Sequence, residues 1–172
     1  MRKNVLQFAA VAVCLPLLAC SSSQLQRCPS VSVLFDTATA ATWQGSPPQF
    51  TYVARIVDAT RDCDIKKFEK EVGASVDIKF QVVRPHAGAA ATFTVPFFVA
   101  ISTEGHILAK KVYGMPFTFD AQQTVIEVSQ SIDTLSLTVG RDKQATDYGI
   151  LVGFQLSKAQ LDYNRRAGRY PR

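Results

Sequence analysis

Apolar and polar residues alternate along most of this chain. From Gly73 to Arg84, Ala74, Val76, Ile78, Phe80 and Val82 alternate with Ser75, Asp77, Lys79, Gln81 and Val83. A period of two with charges on one side predicts a half-buried strand and not a helix. Phe50 to Asp58 repeats the pattern, with Phe50, Tyr52, Ala54 and Ile56 on one face. Thr51, Val53, Arg55 and Val57 fall on the other, as for a sheet with a wetter side. Thr92 to Ser102 puts Phe93, Val95, Phe97, Val99 and Ile101 on one face, and Phe98 and Ala100 opposite make it the more buried strand. Pro96 inside it predicts an edge position or a bulge. If that strand lay uncovered, Phe97 and Phe98 would form an apolar edge open to a partner strand; core packing is their competing use.

The remaining segments are shorter. Ser30 to Phe35 reads as a first strand, and Asp36 to Trp43 is ambiguous between a helical turn and irregular chain. Gly45-Ser46-Pro47-Pro48 is a break, and Arg61 to Glu71 reads as a charged connection holding Cys63. Thr103-Glu104-Gly105-His106 predicts a hairpin turn, Ile107 to Tyr113 its return, and Gly114-Met115-Pro116 a bend. Phe117 to Phe119, Gln123 to Ser129 and Ile132 to Val139 follow as short strands, the last continuing its predecessor or adding one. Tyr148 to Leu156 closes the series, with Gly149 and Gly153 allowing close packing or a bulge. Ser157 with Gln160 fits a capping box and predicts a short C-terminal helix in which Leu161 packs. Seven to nine strands without βαβ alternation predict an all-β fold. Its form is an antiparallel β-sandwich, immunoglobulin- or fibronectin-III-like in outline. A small β-barrel is the alternative.

The N-terminus follows different rules. After Met1-Arg2-Lys3, the 14 residues from Val5 to Leu18 are uncharged and, Gln7 apart, apolar. That suits a signal-peptide core and falls short of the ~20 residues of a membrane span. A spanning helix is opposed by Pro16 and by the polar Ser21-Ser22-Ser23-Gln24. Leu17-Leu18-Ala19-Cys20 resembles the lipobox of bacterial lipoproteins. The resemblance implies cleavage before Cys20 and lipidation of its sulfur; ordinary secretory cleavage is the alternative. Stable anchoring takes more than one acyl chain. Ser21, where an aspartate would favour inner-membrane retention in enteric-type sorting, implies the outer membrane, on its periplasmic face. The expected division is 1–19 signal peptide, 20–27 lipidated cysteine and tether, 28–156 sandwich, and 157–172 helix and basic tail.

That reading sorts the four cysteines. Cys14 leaves with the signal peptide and Cys20 takes the lipid. Cys28 and Cys63 remain in an oxidising compartment, where a disulfide is the expectation. Two free thiols are the alternative, and a metal pair has no further Cys or His at ligand spacing.

Charge is unevenly placed. The chain has 19 basic and 14 acidic residues, a net of +5. Ser157 to Arg172 holds Lys158, Arg165, Arg166, Arg169 and Arg172 against Asp162, which leaves the sandwich close to neutral. Nucleic-acid binding is not expected, because the compartment opposes it and no basic face covers the body. Arg165, Arg166, Arg169 and Arg172, interleaved with Tyr163 and Tyr170, are candidate contacts for a partner or an anion. A solvated, mobile terminus is the competing reading.

Catalytic signatures are lacking. The sequence has no G-x-S-x-G, H-E-x-x-H, P-loop or dinucleotide fingerprint. His86 lies in an Ala/Gly loop and His106 in a turn, where solvated roles are the default. Asp58, Asp62 and Asp64 cluster near Cys63 without EF-hand spacing, and Arg61, Lys66 and Lys67 neutralise them. No enzyme activity, cofactor or metal is expected.

Further stretches carry a family resemblance. They are Cys28-Pro29-Ser30-Val31, Tyr52-Val53-Ala54-Arg55-Ile56 followed by Cys63, Leu151-Val152-Gly153-Phe154-Gln155-Leu156, and Leu161-Asp162-Tyr163-Asn164-Arg165. With the lipobox and the phenylalanine-rich hairpin, they are similar to alphaproteobacterial outer-membrane lipoproteins of no assigned activity. The resemblance supplies no catalytic residue. It implies a lipid-anchored envelope protein acting as a non-enzymatic interaction or accessory module with an envelope protein partner. A glycan- or lipid-binding module of the periplasm is the alternative.

Overall fold

The structure, a computed structural model, describes residues 28–45, 49–66 and 71–167. The lipobox with Cys20, Arg169 and Arg172 lie outside the described residues. The fold is all-β. Among the described residues, eight strands, β1 (Ser30–Val33), β2 (Thr39–Gln44), β3 (Gln49–Lys66), β4 (Glu71–Val83), β5 (Ala91–Thr103), β6 (His106–Phe119), β7 (Val125–Thr138) and β8 (Tyr148–Phe154), precede one α-helix, α1 (Lys158–Arg166). They form two four-stranded sheets, β1-β8-β5-β6 and β2-β3-β4-β7. All pairings are antiparallel except β1 with β8, which run parallel. The likeness to immunoglobulin domains stays at the level of outline, because this strand order is not the ABED and CFG arrangement.

Two bulges explain where strand boundaries depart from the sequence reading. In β3, Ile56 pairs with Phe80 and Asp58 with Lys79, leaving Val57 extra. The core-facing set therefore changes from Tyr52, Ala54 and Ile56 to Ala59 and Cys63. Asp62 and Asp64 alternate outward, so the expected charged connection is strand as far as Lys66. In β7, the register shifts opposite Ala74 and Val76, moving the core set from Ile126, Val128 and Ile132 to Leu135 and Leu137. One strand thus reads as two. An inserted residue reverses a two-residue period, which looks like a break when faces are read from the sequence.

Strand β6 runs without a break through Gly114-Met115-Pro116, where a bend was expected. It is an edge strand, and Pro116 is tolerated there. Pro96 marks the point where β8 stops pairing with β5: the ladder begins at Phe97, and only the Pro96 carbonyl is used, by the Gln155 N–H. From Ala91 to Val95 that side of β5 has no ladder partner among the described residues, so the expected edge is half right. Phe97 and Phe98 are not an open edge, because β8 and β6 flank them and both are buried. The Asp36 to Trp43 stretch resolves into a 3-10 turn at Phe35–Thr37 and then β2.

The core lies between the sheets. Phe80 from one sheet meets Phe97 (5.3 Å) and Phe154 (5.7 Å) from the other, and all three are fully buried. A smaller cluster of Val72, Ile101, Leu137, Ala145 and Tyr148 closes one end beside Cys63. There Cys28, just before β1, is bonded to Cys63 on β3 with the Cα atoms 5.9 Å apart, which joins the two sheets.

Gly153 bears out the expected close packing. A Cβ there would stand 2.8 Å from the Phe98 ring and collide with Thr37 Oγ1. Overpacking of this kind costs about 1–3 kcal/mol. Gly153→Ala should therefore lower the urea midpoint by that equivalent. An unchanged midpoint would mean that Phe98 and Thr37 move aside freely.

Candidate functional site

Helix α1 builds a site-like feature on one sheet. Its start is the expected box: Ser157 Oγ accepts the Gln160 N–H (3.3 Å), and Gln160 Oε1 accepts the Ser157 N–H (2.9 Å). Lys158 donates to Asp162 (2.8 Å), and that hydrogen bond holds the Asp162 carboxyl below its ordinary range. Arg165 and Arg166 occupy the last turn, where the helix dipole favours cations.

Side chains four apart on α1 then fasten it to the free edge of β2. Gln160 Nε2 donates to the Ala41 carbonyl (2.9 Å). Asn164 Nδ2 donates to the carbonyls of Thr39 and Asp36 (2.8 Å each). These contacts satisfy edge carbonyls that would otherwise offer pairing sites to another chain. Tyr163 packs between Trp43 (5.3 Å between centroids) and Phe50 (5.6 Å). The Arg165 guanidinium meets the Asp36 carboxylate at 3.2 Å. The helix is therefore docked, and Arg165 is committed within the fold rather than free in a mobile tail.

Between α1 and the outer face of β2 and β3 lies a cleft of about 230 Å³. Phe35, Ala41, Phe50, Val53, Tyr163 and Ala167 supply apolar lining. Asp36, Thr39, Asn164 and Arg55 supply its polar groups. Arg55 stands opposite Thr39 in the β2–β3 register, half-buried, and has no hydrogen-bond, ion-pair or ring partner among the described residues. The strand face expected to be wet is thus half covered by a helix.

Other candidates are scattered. His86 and His106 are both exposed and lie at opposite ends of the sandwich, His86 just past the end of β4 and His106 at the β5–β6 turn near the disulfide. Asp58 meets Lys79 at 3.9 Å, and Asp62 accepts the Cys63 N–H (2.8 Å). Among the described residues, no three His, Cys, Asp or Glu side chains are grouped to hold a metal. Arg166 is exposed and stands apart from the cleft lining.

Sequence reasoning missed two arginines. Arg55 reads as one more position on a wetter face, and nothing marks it as the cation of a cleft. Arg84, at the end of β4, is buried, and its guanidinium donates to the carbonyls of Gln123, Ala89, Gly88 and Asp120. The pair Gln160 and Asn164 was the available signal for docking, since two amides at i and i+4 share a helix face. No protein-family model, no curated protein and no solved structure matches the chain, so its function has to be argued from the N-terminal sequence, the disulfide and the cleft.

Proposed function

We propose that the chain is a lipid-anchored cell-envelope protein of the outer membrane, facing the periplasm, and that it acts as a non-enzymatic interaction or accessory module. The observation that carries this reading is Leu17-Leu18-Ala19-Cys20, a lipobox-like stretch seven residues ahead of Cys28. The Cys28–Cys63 bond supports it, because disulfides persist in oxidising compartments such as the periplasm.

Cys20→Ser should abolish incorporation of labelled palmitate and release the protein from the membrane fraction on flotation. Retention of both label and flotation in the variant would overturn the anchor. Crosslinking in intact membranes should capture a stoichiometric envelope protein if the module works through a partner.

A second reading is a periplasmic binding module for a lipid-like or glycan ligand. The apolar cleft under α1 favours it, being concave, mostly hydrophobic and supplied with few polar groups.

A further inference from the structure

The cleft is chemically one-sided. Phe35, Phe50, Val53 and Tyr163 line it with apolar surface. Two of its polar groups other than Arg55 are already engaged. Asp36 is paired with Arg165, and the Asn164 amide donates to two carbonyls. Arg55 alone brings a charge with no internal partner among the described residues. A guanidinium keeps its charge at any accessible pH and presents a planar fork of donors shaped for a carboxylate.

We infer that the cleft binds a small amphipathic carboxylic acid. Its head pairs with the Arg55 guanidinium, and its aromatic or short acyl body lies against Phe35, Phe50 and Tyr163. The volume of about 230 Å³ fits one ring or a short chain and excludes a diacyl lipid. An oligosaccharide would need more polar groups than the walls supply. This inference rests on the binding-module reading of the cleft and is independent of the anchor.

Trp43 is the chain's single tryptophan, and it touches Phe50 and Tyr163, both lining the cleft. Its fluorescence therefore reports occupancy. The full chain, held in phosphatidylcholine nanodiscs, is titrated with 4-phenylbutyrate, octanoate and the neutral 4-phenylbutanol. At least one acid should give a saturable change, with the alcohol about tenfold weaker or worse, as expected for a lost charge-assisted contact. Tighter binding of phenylbutyrate would assign an aromatic body, and of octanoate an acyl one. Arg55→Gln should weaken the acids by about tenfold and leave the alcohol unchanged. Ala167→Phe, which fills the mouth with Arg55 intact, should remove binding of all three.

Equal affinity for acid and alcohol, or no effect of Arg55→Gln, would overturn acid recognition while leaving an apolar binding cleft. No saturable response to any probe would overturn both. If truncation after Ala167 itself shifts Trp43 emission and tightens binding about tenfold, residues 168–172 are the occupant and the inference falls.

Discussion

Arg84→Met should destabilise the protein by about 3–4 kcal/mol in urea denaturation, with an unchanged m-value. Arg84 sits where both sheet crossovers of one end converge, the 84–90 loop leading to β5 and the 120–124 loop leading to β7. Its own N–H donates to the Thr124 carbonyl (2.9 Å). Its guanidinium reaches Ala89 (2.9 Å) and Gly88 (3.2 Å) on the first loop, and Asp120 (2.9 Å) and Gln123 on the second. The Phe119 ring lies beneath it, 4.8 Å from the guanidinium carbon. Bonds to a charged donor contribute about 1.5–3 kcal/mol each, and a buried acceptor left unpaired costs about 1–3 kcal/mol. The four are not additive, because the loops can open and let water reach their carbonyls. Methionine retains much of the apolar stem, so the loss reads the guanidinium and not the packing. Arg84→Lys should recover less than half of it, because one ammonium cannot meet four carbonyls spread around a plane. A loss below about 1 kcal/mol would show that water replaces the guanidinium at little cost.

Arg84 also illustrates why parts of this fold are legible and others are not. Strands reveal themselves by alternation, a local property, and Ala74 to Val82 reads correctly from sequence because no bulge interrupts it on that strand. The two long strands that were misdivided, β3 and β7, each carry a register shift that reverses the alternation. The charges of Asp62 and Asp64 then resemble a loop, although they are the outward half of a strand. The capping box of α1 is equally local and is found where expected. Docking is not local. Asn164 lies 125 residues from Thr39, and although the Gln160/Asn164 pair marks a helix face able to dock, nothing near it names the strand it docks on. The cleft inherits that illegibility, since it exists only where α1 lies over the outer face of β2 and β3. Arg84 has the same character: two of its carbonyl partners lie 4 and 5 residues away and the other two 36 and 39.

Replacing Cys28 and Cys63 together by serine should cost about 3–4 kcal/mol, the entropy released to the unfolded chain by opening a loop of 35 residues. The position of the bond adds a structural reason. Strand β1 has four residues and pairs only with β8, so little else holds the start of the domain to its sheet. Cys28 ties that start to β3 in the opposite sheet, beside the small cluster of Val72, Ile101, Leu137 and Tyr148. Without the bond, β1 should fray first, and proteolysis should cut ahead of β2 at protease levels that leave the oxidised protein intact. Arg84 clamps the far end of the sandwich, so the two losses share no partner and should add to within about 0.5 kcal/mol in the combined variant. A combined loss well short of that sum would mean that the ends unfold as one unit, with the bond acting through the whole core rather than through β1. Thiol labelling of the folded protein without reductant supplies the direct check. Cys28 and Cys63 should stay unlabelled, and labelling at either would remove the premise of both the staple and the oxidising compartment.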